Sequence, residues 1–197
     1  MTSVLWFVLW FFTMSFVEHY VHRNFMHRKS PIHPWFPRVF ENHAVNHHRR
    51  YFKLFNFEPD EKGRRENIQL QVLPSLPLAL LLAGIAACFS WRSGLMFLAA
   101  VLVHHLIWNL IHQEMHNPSE RFFAHWGVYK FLARYHLMHH RYPGKNFNVV
   151  VPLADFVLGT YAFQNAKDRL SMIQYGLWNP AWGVPPVVVK TEPAAQQ

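Results

Sequence analysis

One cysteine, Cys88, is all the chain has. An internal disulfide framework and a cysteine-based zinc site are both excluded. Carboxylates are scarce beside cations, 11 Asp and Glu against 19 Lys and Arg. There is no internal repeat and no Gly-x-Gly-x-x-Gly fingerprint. No nucleic-acid motif accompanies the positive charge, so nucleic acid is not an expected partner. Residues 2–17, TSVLWFVLWFFTMSFV, carry no charge of either sign. They lack the basic start and small-residue cleavage site of a secretory signal, so they are expected to stay as a membrane helix.

What the chain does have is apolar and aromatic mass. Its 197 residues suit one domain, and 51% hydrophobic with 17% aromatic residues is rich for a soluble one. A second apolar block runs from Ile68 to His112, broken by the polar turn WRSG at 91–94. The reading is an all-α membrane protein with about three transmembrane helices, over about residues 3–20, 70–90 and 95–112. Pro74 and Pro77 fall in the first turns of the second span, where a helix tolerates them. Segment 122–135, aromatic with Lys130 and Arg134, reads as an interfacial helix. Residues 1–182 form the expected membrane domain, and the Pro-rich stretch 183–197 is predicted to be a disordered tail. Of the Lys and Arg residues only Arg92 lies in the 91–94 turn. The positive-inside rule then puts the N-terminus outside, with the long polar segments and C-terminus cytoplasmic. The basic balance reads as orientation signal and headgroup contact.

Histidine is the chemical signal: 15 residues, several times an ordinary share. Ten fall into four groups on the expected cytoplasmic side: His22 and His27; His43, His47 and His48; His112 and His116; and His136, His139 and His140. Residues four apart share a helical face. His112 with His116, His136 with His140, and His43 with His47 are therefore paired for gripping an ion. His22 and His27 are five apart and diverge by roughly 140° on an ideal α-helix. They either serve two metals or sit where the helix bends. Neutral imidazole suits iron, zinc and copper, and ten imidazoles exceed the needs of one ion and match two. His105 and Asn109 share the helical face of His112 and His116 and are candidates for lining the metal site or a substrate channel. His19, three residues before His22, is a candidate outer partner of a ligand. His33 reads as a loop residue and His125 as an interfacial one.

The order HxxxxH, HxxxHH, HxxxH, HxxHH, followed by NFN at 146–148 and DFVLGTY at 155–161, resembles the membrane fatty acid hydroxylase / sterol desaturase superfamily. The resemblance spans about Glu18 to Tyr161. It implies a cytoplasmic-side, histidine-rich dimetal domain holding two iron ions, with zinc able to replace them in overexpressed protein. The implied ligands are His22, His27, His43, His47, His48, His112, His116, His136, His139 and His140. Many members space the second motif HxxHH, and here Ala44 stands where that spacing wants histidine, so His43 must reach from one residue further back. Family members commonly have two membrane hairpins; this chain has its first reduced to one helix, so oligomerisation is one way to complete the substrate tunnel.

The implied activity is O2-dependent hydroxylation of an unactivated C–H bond in a lipid, an acyl chain or a sterol, with desaturation as the alternative outcome on the same core. Glu18, Glu114 and Asp155 are candidate acceptors for ligand N–H groups. The chain is too short to hold its own redox domain, so two electrons must come from a separate donor of ferredoxin or cytochrome b5 type. The basic face formed by Arg49, Arg50, Lys53, Arg64, Arg65, Arg141 and Lys145 is suited to steering it. Two readings from other classes are a membrane metal transporter and a haem-b electron carrier using His104 and His105.

Overall fold

A computed structural model describes residues 1–29, 37–53, 55, 68–70 and 72–182, and its only regular elements are helices, with no strand among the described residues. His33, Arg64, Arg65 and the expected tail 183–197 lie outside the described residues. The chain divides into two compact units, Met1–Ala162 and Phe163–Gln197.

In the first unit, α1 spans Ser3–Val21 and is capped by Thr2, whose Oγ1 accepts the Leu5 N–H at 3.4 Å. It runs on into a π-helical turn, His22–Met26. A short α2, Pro37–Phe40, leads into a longer π-helical segment, Glu41–Tyr51. Helices α3, Val72–Ala87, and α4, Trp91–His116, form a hairpin. A 3-10 turn at Phe122–His125 precedes α5, Gly127–Arg141, and a short α6 covers Leu153–Val157. In the second unit, α7 spans Ala166–Gln174 and opens with a reciprocal cap between Asn165 and Asp168.

The polar turn between α3 and α4 lies earlier than WRSG suggests. Ser90 is the N-cap, its Oγ accepting Ser93 N–H at 3.1 Å, so 91–94 is the first turn of α4. A capping hydroxyl just before an apolar run outweighs the helix-breaking tendency of Gly94. Gly94 is where the hairpin closes. A Cβ there would meet the Ala87 Cβ at 2.9 Å and the Ala83 carbonyl at 3.1 Å. The likewise expected interfacial helix starts as the 3-10 turn and continues past residue 135, so that it carries the last histidine group.

Helix α1 packs along α4, and α3 packs on α4. Their shared core is Met14, Ala83, Ala86 and Phe97, flanked by Trp10 and Leu82. The Trp10 indole N–H donates to Ser93 Oγ at 3.1 Å, which satisfies both polar atoms at the buried crossing. The outer faces are as apolar as the inner ones: Leu5, Leu9 and Phe12 on α1, Leu80 and Ile85 on α3, Leu102 and Leu106 on α4 are all exposed. Helices apolar all round belong inside a large protein or a bilayer. By length and composition two qualify as membrane spans, Ser3–Met26 and Trp91–His116, with mean hydropathy 1.5 and 1.9. They extend about 36 and 39 Å, against about 30 Å of hydrocarbon. The expected middle span is shorter, since the 16 residues of α3 reach only about 24 Å.

Replacing Gly94 with leucine forces α3 off α4. The expected result is destabilisation by about 1–3 kcal/mol, read as a lowered melting temperature of the detergent-solubilised protein; an unchanged midpoint would mean the hairpin does not close at this residue.

Candidate metal centre

The first two histidine groups lie on π-helical backbone, and this decides which rings meet. The His27 N–H donates to the His22 carbonyl at 3.1 Å, an i→i+5 bond, and Phe52 N–H donates to the His47 carbonyl at 2.8 Å in the same way. In this wider helix residues five apart lie over one another. The His22 and His27 rings are 5.0 Å apart and the His43 and His48 rings 4.7 Å apart, centre to centre. The expected pairing of His43 with His47 on one ideal α-helical face is therefore replaced by His43 with His48. On regular α-helix the four-residue rule holds: His112 and His116 on α4, and His136 and His140 on α5, are each 4.7 Å apart.

Two sets of ring nitrogens converge. One comprises His22, His27, His43, His48 and His139; the other His47, His116, His136 and His140. Within each set the potential donor atoms all lie within 4.8 Å of one another. The Nε2 atoms approach at 2.8 Å for His22–His43 and 3.0 Å for both His43–His48 and His27–His139. The distances are 3.2 Å for His48–His139, 3.1 Å for His116–His136 and 3.2 Å for His136–His140. Ligands at right angles, each about 2.0–2.1 Å from an ion, lie about 3.0 Å apart, and opposite ligands about 4.2 Å. The observed spacing is that of donors around a metal.

His112 stands at the edge of the second set, its ring 4.7 Å from that of His136. Its Nε2, like both nitrogens of His47, is buried with no hydrogen-bond partner. A buried orphan nitrogen is costly in a protein interior, and an ion removes that cost. The two sets abut, with the His48 and His140 rings stacked at 4.1 Å.

Three backbone carbonyls orient the rings. His139 Nδ1 donates to Lys145 O at 2.7 Å, His112 Nδ1 donates to Ile68 O at 2.6 Å, and His22 Nδ1 donates to Phe147 O. A carbonyl only accepts, so each Nδ1 carries the proton and each Nε2 keeps a free lone pair. Burial also keeps the rings neutral, as a metal requires. Desolvation, reinforced by His139 and Arg49, holds His27 at about 2. Desolvation also lowers His139 to about 4, opposed by the Lys145 carbonyl and Asp155. The rings of His43, His47, His48, His136 and His140 lie well below the ordinary histidine value, by desolvation first and then by mutual repulsion.

The candidate outer partners fall differently from expectation. Asp155 does not touch a ligand. Its carboxylate accepts Phe147 N–H at 3.0 Å, Asn148 N–H at 2.7 Å and the Thr160 hydroxyl at 2.6 Å. It thus fixes the peptide whose carbonyl holds His22. Glu18 accepts Val149 N–H at 2.8 Å and Asn148 Nδ2 at 3.1 Å, tying the same loop to α1. Asn109 accepts Leu70 N–H at 2.8 Å, two residues from the Ile68 carbonyl that holds His112, and lies 3.0 Å from His105. Glu114 faces away from the ligands and closes the loop after α4, accepting from Ser119 Oγ at 2.9 Å and pairing with Arg121. His19 lies 3.0 Å from Thr160 Oγ1, and His104 lies 3.2 Å from Glu18. His125 is exposed.

The sequence assigns no role to Ser15, and none to Asn146 beyond its place in the NFN stretch. Asn146 adopts φ 54°, which asparagine tolerates. Its side chain accepts Ala162 N–H at 2.7 Å and donates to Tyr135 O at 3.1 Å. Ser15 donates to Val151 O at 2.6 Å and accepts Ala154 N–H at 2.9 Å. The NFN and DFVLGTY stretches carry a signal for the first of these; a lone serine within an apolar helix carries none.

Two openings reach the centre. A cavity of about 680 Å³ touches His27, His48 and His140 and is lined by arginines. A narrower one of about 150 Å³ lies among α1, α3 and α4, mostly apolar, and reaches His22. No family model, curated protein or solved structure matches this chain.

Asp155→Asn removes an acceptor for two peptide N–H groups and loosens the carbonyl that orients His22. Metal affinity is expected to fall about 10–100-fold in chelator competition, whereas Glu114→Gln leaves it unchanged. Equal behaviour of the two variants would refute this division of roles.

Proposed function

We propose that this chain is a membrane-embedded di-iron oxygenase that hydroxylates a hydrocarbon position of a lipid. The observation that carries the reading is the pair of abutting all-imidazole clusters at the ends of two apolar helices. The order of the histidine motifs supports it through the resemblance to the fatty acid hydroxylase / sterol desaturase superfamily. His22, His27, His43, His48 and His139 would hold one iron, and His47, His116, His136 and His140, with His112 beside them, the other. Iron bound there would supply O2 activation and the two-electron oxidation of an unactivated C–H bond, with electrons from a separate donor.

The remaining work belongs to the protein. The Lys145, Ile68 and Phe147 carbonyls keep three ligands in the metal-binding tautomer. The apolar cavity between Val21, Met26, Leu82, Val101 and Trp108 admits hydrocarbon and excludes water beside His22. Its volume of about 150 Å³ is below the ~300 Å³ at which pockets for drug-sized molecules begin. That favours a slim acyl segment over a fused ring system. The haem-carrier alternative is disfavoured because both histidines stand on α4, one beside the other, and His105 Nε2 is engaged by Asn109 at 3.0 Å. A transporter would hold ligands near the bilayer midplane, whereas His22, His27, His112 and His116 sit at helix ends.

The test is metal analysis of protein from iron-enriched cells, with Mössbauer spectroscopy and turnover of acyl lipids under O2 and reductant. About two irons per chain, a coupled di-ferric signal and a hydroxylated product are expected. His43→Ala and His136→Ala should each remove one ion. Absence of bound metal, or full occupancy after both substitutions, would end the proposal.

With α3 as a short third span, the α3–α4 turn lies on the same side as the N-terminus, opposite the basic segments. Cys88 is exposed in that turn and is the chain's single cysteine. A membrane-impermeant maleimide is expected to label it in intact cells; labelling only after permeabilisation would reverse the orientation.

A further inference from the structure

A His-Arg dipeptide occurs four times at the ligands: His22-Arg23, His27-Arg28, His48-Arg49 and His140-Arg141. All four arginines line the 680 Å³ cavity, and Lys53 joins them. No carboxylate lines it among the described residues. The cavity floor is formed by the ligands themselves, His27, His48 and His140, with Phe147 beside them. Arg23 lies over the Phe147 ring at 6.0 Å, which holds its charge toward this wall.

Charge balance makes this arrangement unusual. Ligand sets made only of neutral imidazole bring no negative charge to offset two metal dications. Five more cations around the same opening add repulsion, which a cleft with low-dielectric walls focuses rather than screens. An anion seated in the cavity offsets both. Arginine and lysine around a concave opening are suited to phosphate and carboxylate, arginine through its bidentate fork. The volume decides the size of the carrier. A space of about 680 Å³ falls inside the ~300–1,000 Å³ range of sites for organic ligands and exceeds what a free phosphate fills.

We propose that this vestibule binds the oxyanion, phosphate or carboxylate, of an organic substrate, placing carbons near that head group beside the metal centre. The inference deepens the oxygenase reading and rests on it for the word substrate; the anion site itself requires only the residues named. A basic surface that recruits an acidic electron-donor protein is the competing use of the same cations.

The test uses the full chain in nonionic detergent, loaded with zinc so that no redox chemistry enters, and isothermal titration with water-soluble probes. Hexyl phosphate is expected to bind, hexanol not, and inorganic phosphate at least ~10-fold more weakly, because the carrier's organic part also fills the vestibule. Added salt should weaken hexyl phosphate binding. Arg49→Gln with Lys53→Gln should reduce its affinity at least ~10-fold, as expected for lost charge-assisted bonds. The charge-keeping pair Arg49→Lys with Lys53→Arg should retain most of it, and an unchanged zinc content checks that the centre is intact. Where Arg49→Gln lowers zinc content, Arg23→Gln with Arg28→Gln serves instead. Unchanged affinity in the glutamine variants would overturn the proposal and leave the cations to a protein partner. Equal binding of inorganic phosphate would overturn its organic-carrier part. Because zinc-loaded protein is used, loss of binding here leaves the di-iron reading standing, and failure to find iron or turnover leaves this site standing.

Discussion

The fold is governed by one electrostatic constraint: nine imidazole nitrogens point at two places inside a protein interior. Neutral rings with converging lone pairs repel, and burial denies them water. Cations at those places turn the same repulsion into coordination. A metal bound there would be part of the folding problem, since a site absent from the unfolded chain returns its binding free energy as stability. Part of the polar design serves to hold three of the ten rings, His22, His112 and His139, in one tautomer and one orientation.

That explains why the supporting groups are backbone carbonyls rather than carboxylates. A carboxylate on each Nδ1–H would orient the ring equally well, but each would have to be buried and desolvated. The chain instead uses Asp155 and Glu18 once each, to organise one loop by accepting its peptide N–H groups. The loop then offers the Phe147 carbonyl to His22. Gly159, at φ 67°, ends the α6 segment in a left-handed conformation that glycine adopts without strain, and Thr160 turns back onto the Asp155 carboxylate. Removing a charge one step away from the ligands is thus felt at the ligands.

The sequence made the membership of the site legible and concealed its partition. All ten grouped histidines come together and nine of them are buried, His27 being half-buried; composition and clustering pick out residues that an apolar interior would otherwise exclude. Which ring goes to which cluster was misread for His43, because a 3.6-residue period was assumed where the backbone is π-helical. The spacing itself held a clue. His43 stands one residue further from His48 than the HxxHH pattern requires, and an i→i+5 helix turn absorbs that one extra residue. The five-residue gap of HxxxxH is the same device on α1. The carbonyls of Ile68, Lys145 and Phe147 were invisible, since every residue has one and only the folded backbone aims it. Glu114 lies between His112 and His116 in the sequence, but two residues' offset on a helix turns a side chain about 200° away, to the opposite face.

The same reasoning bears on how a bundle this small anchors a large polar site. Polar side chains deep in apolar helices are expensive unless each is paired. Here Ser15, Glu18 and His19 on α1 face inward rather than toward the apolar outer surface, and each joins the loop 147–160 or its end. His104 on α4 lies 3.2 Å from the same carboxylate without a hydrogen bond to it. Glu18 therefore ties α1 to the loop that orients the first cluster and packs beside α4. Any tilt of α1 against α4 moves Glu18, Asn148 and with it the carbonyl on His22. The apolar cavity lies along that seam, with Glu18 and His104 in its wall. Anything that wedges the helices apart along this seam would thus press on the contact that sets the orientation of His22.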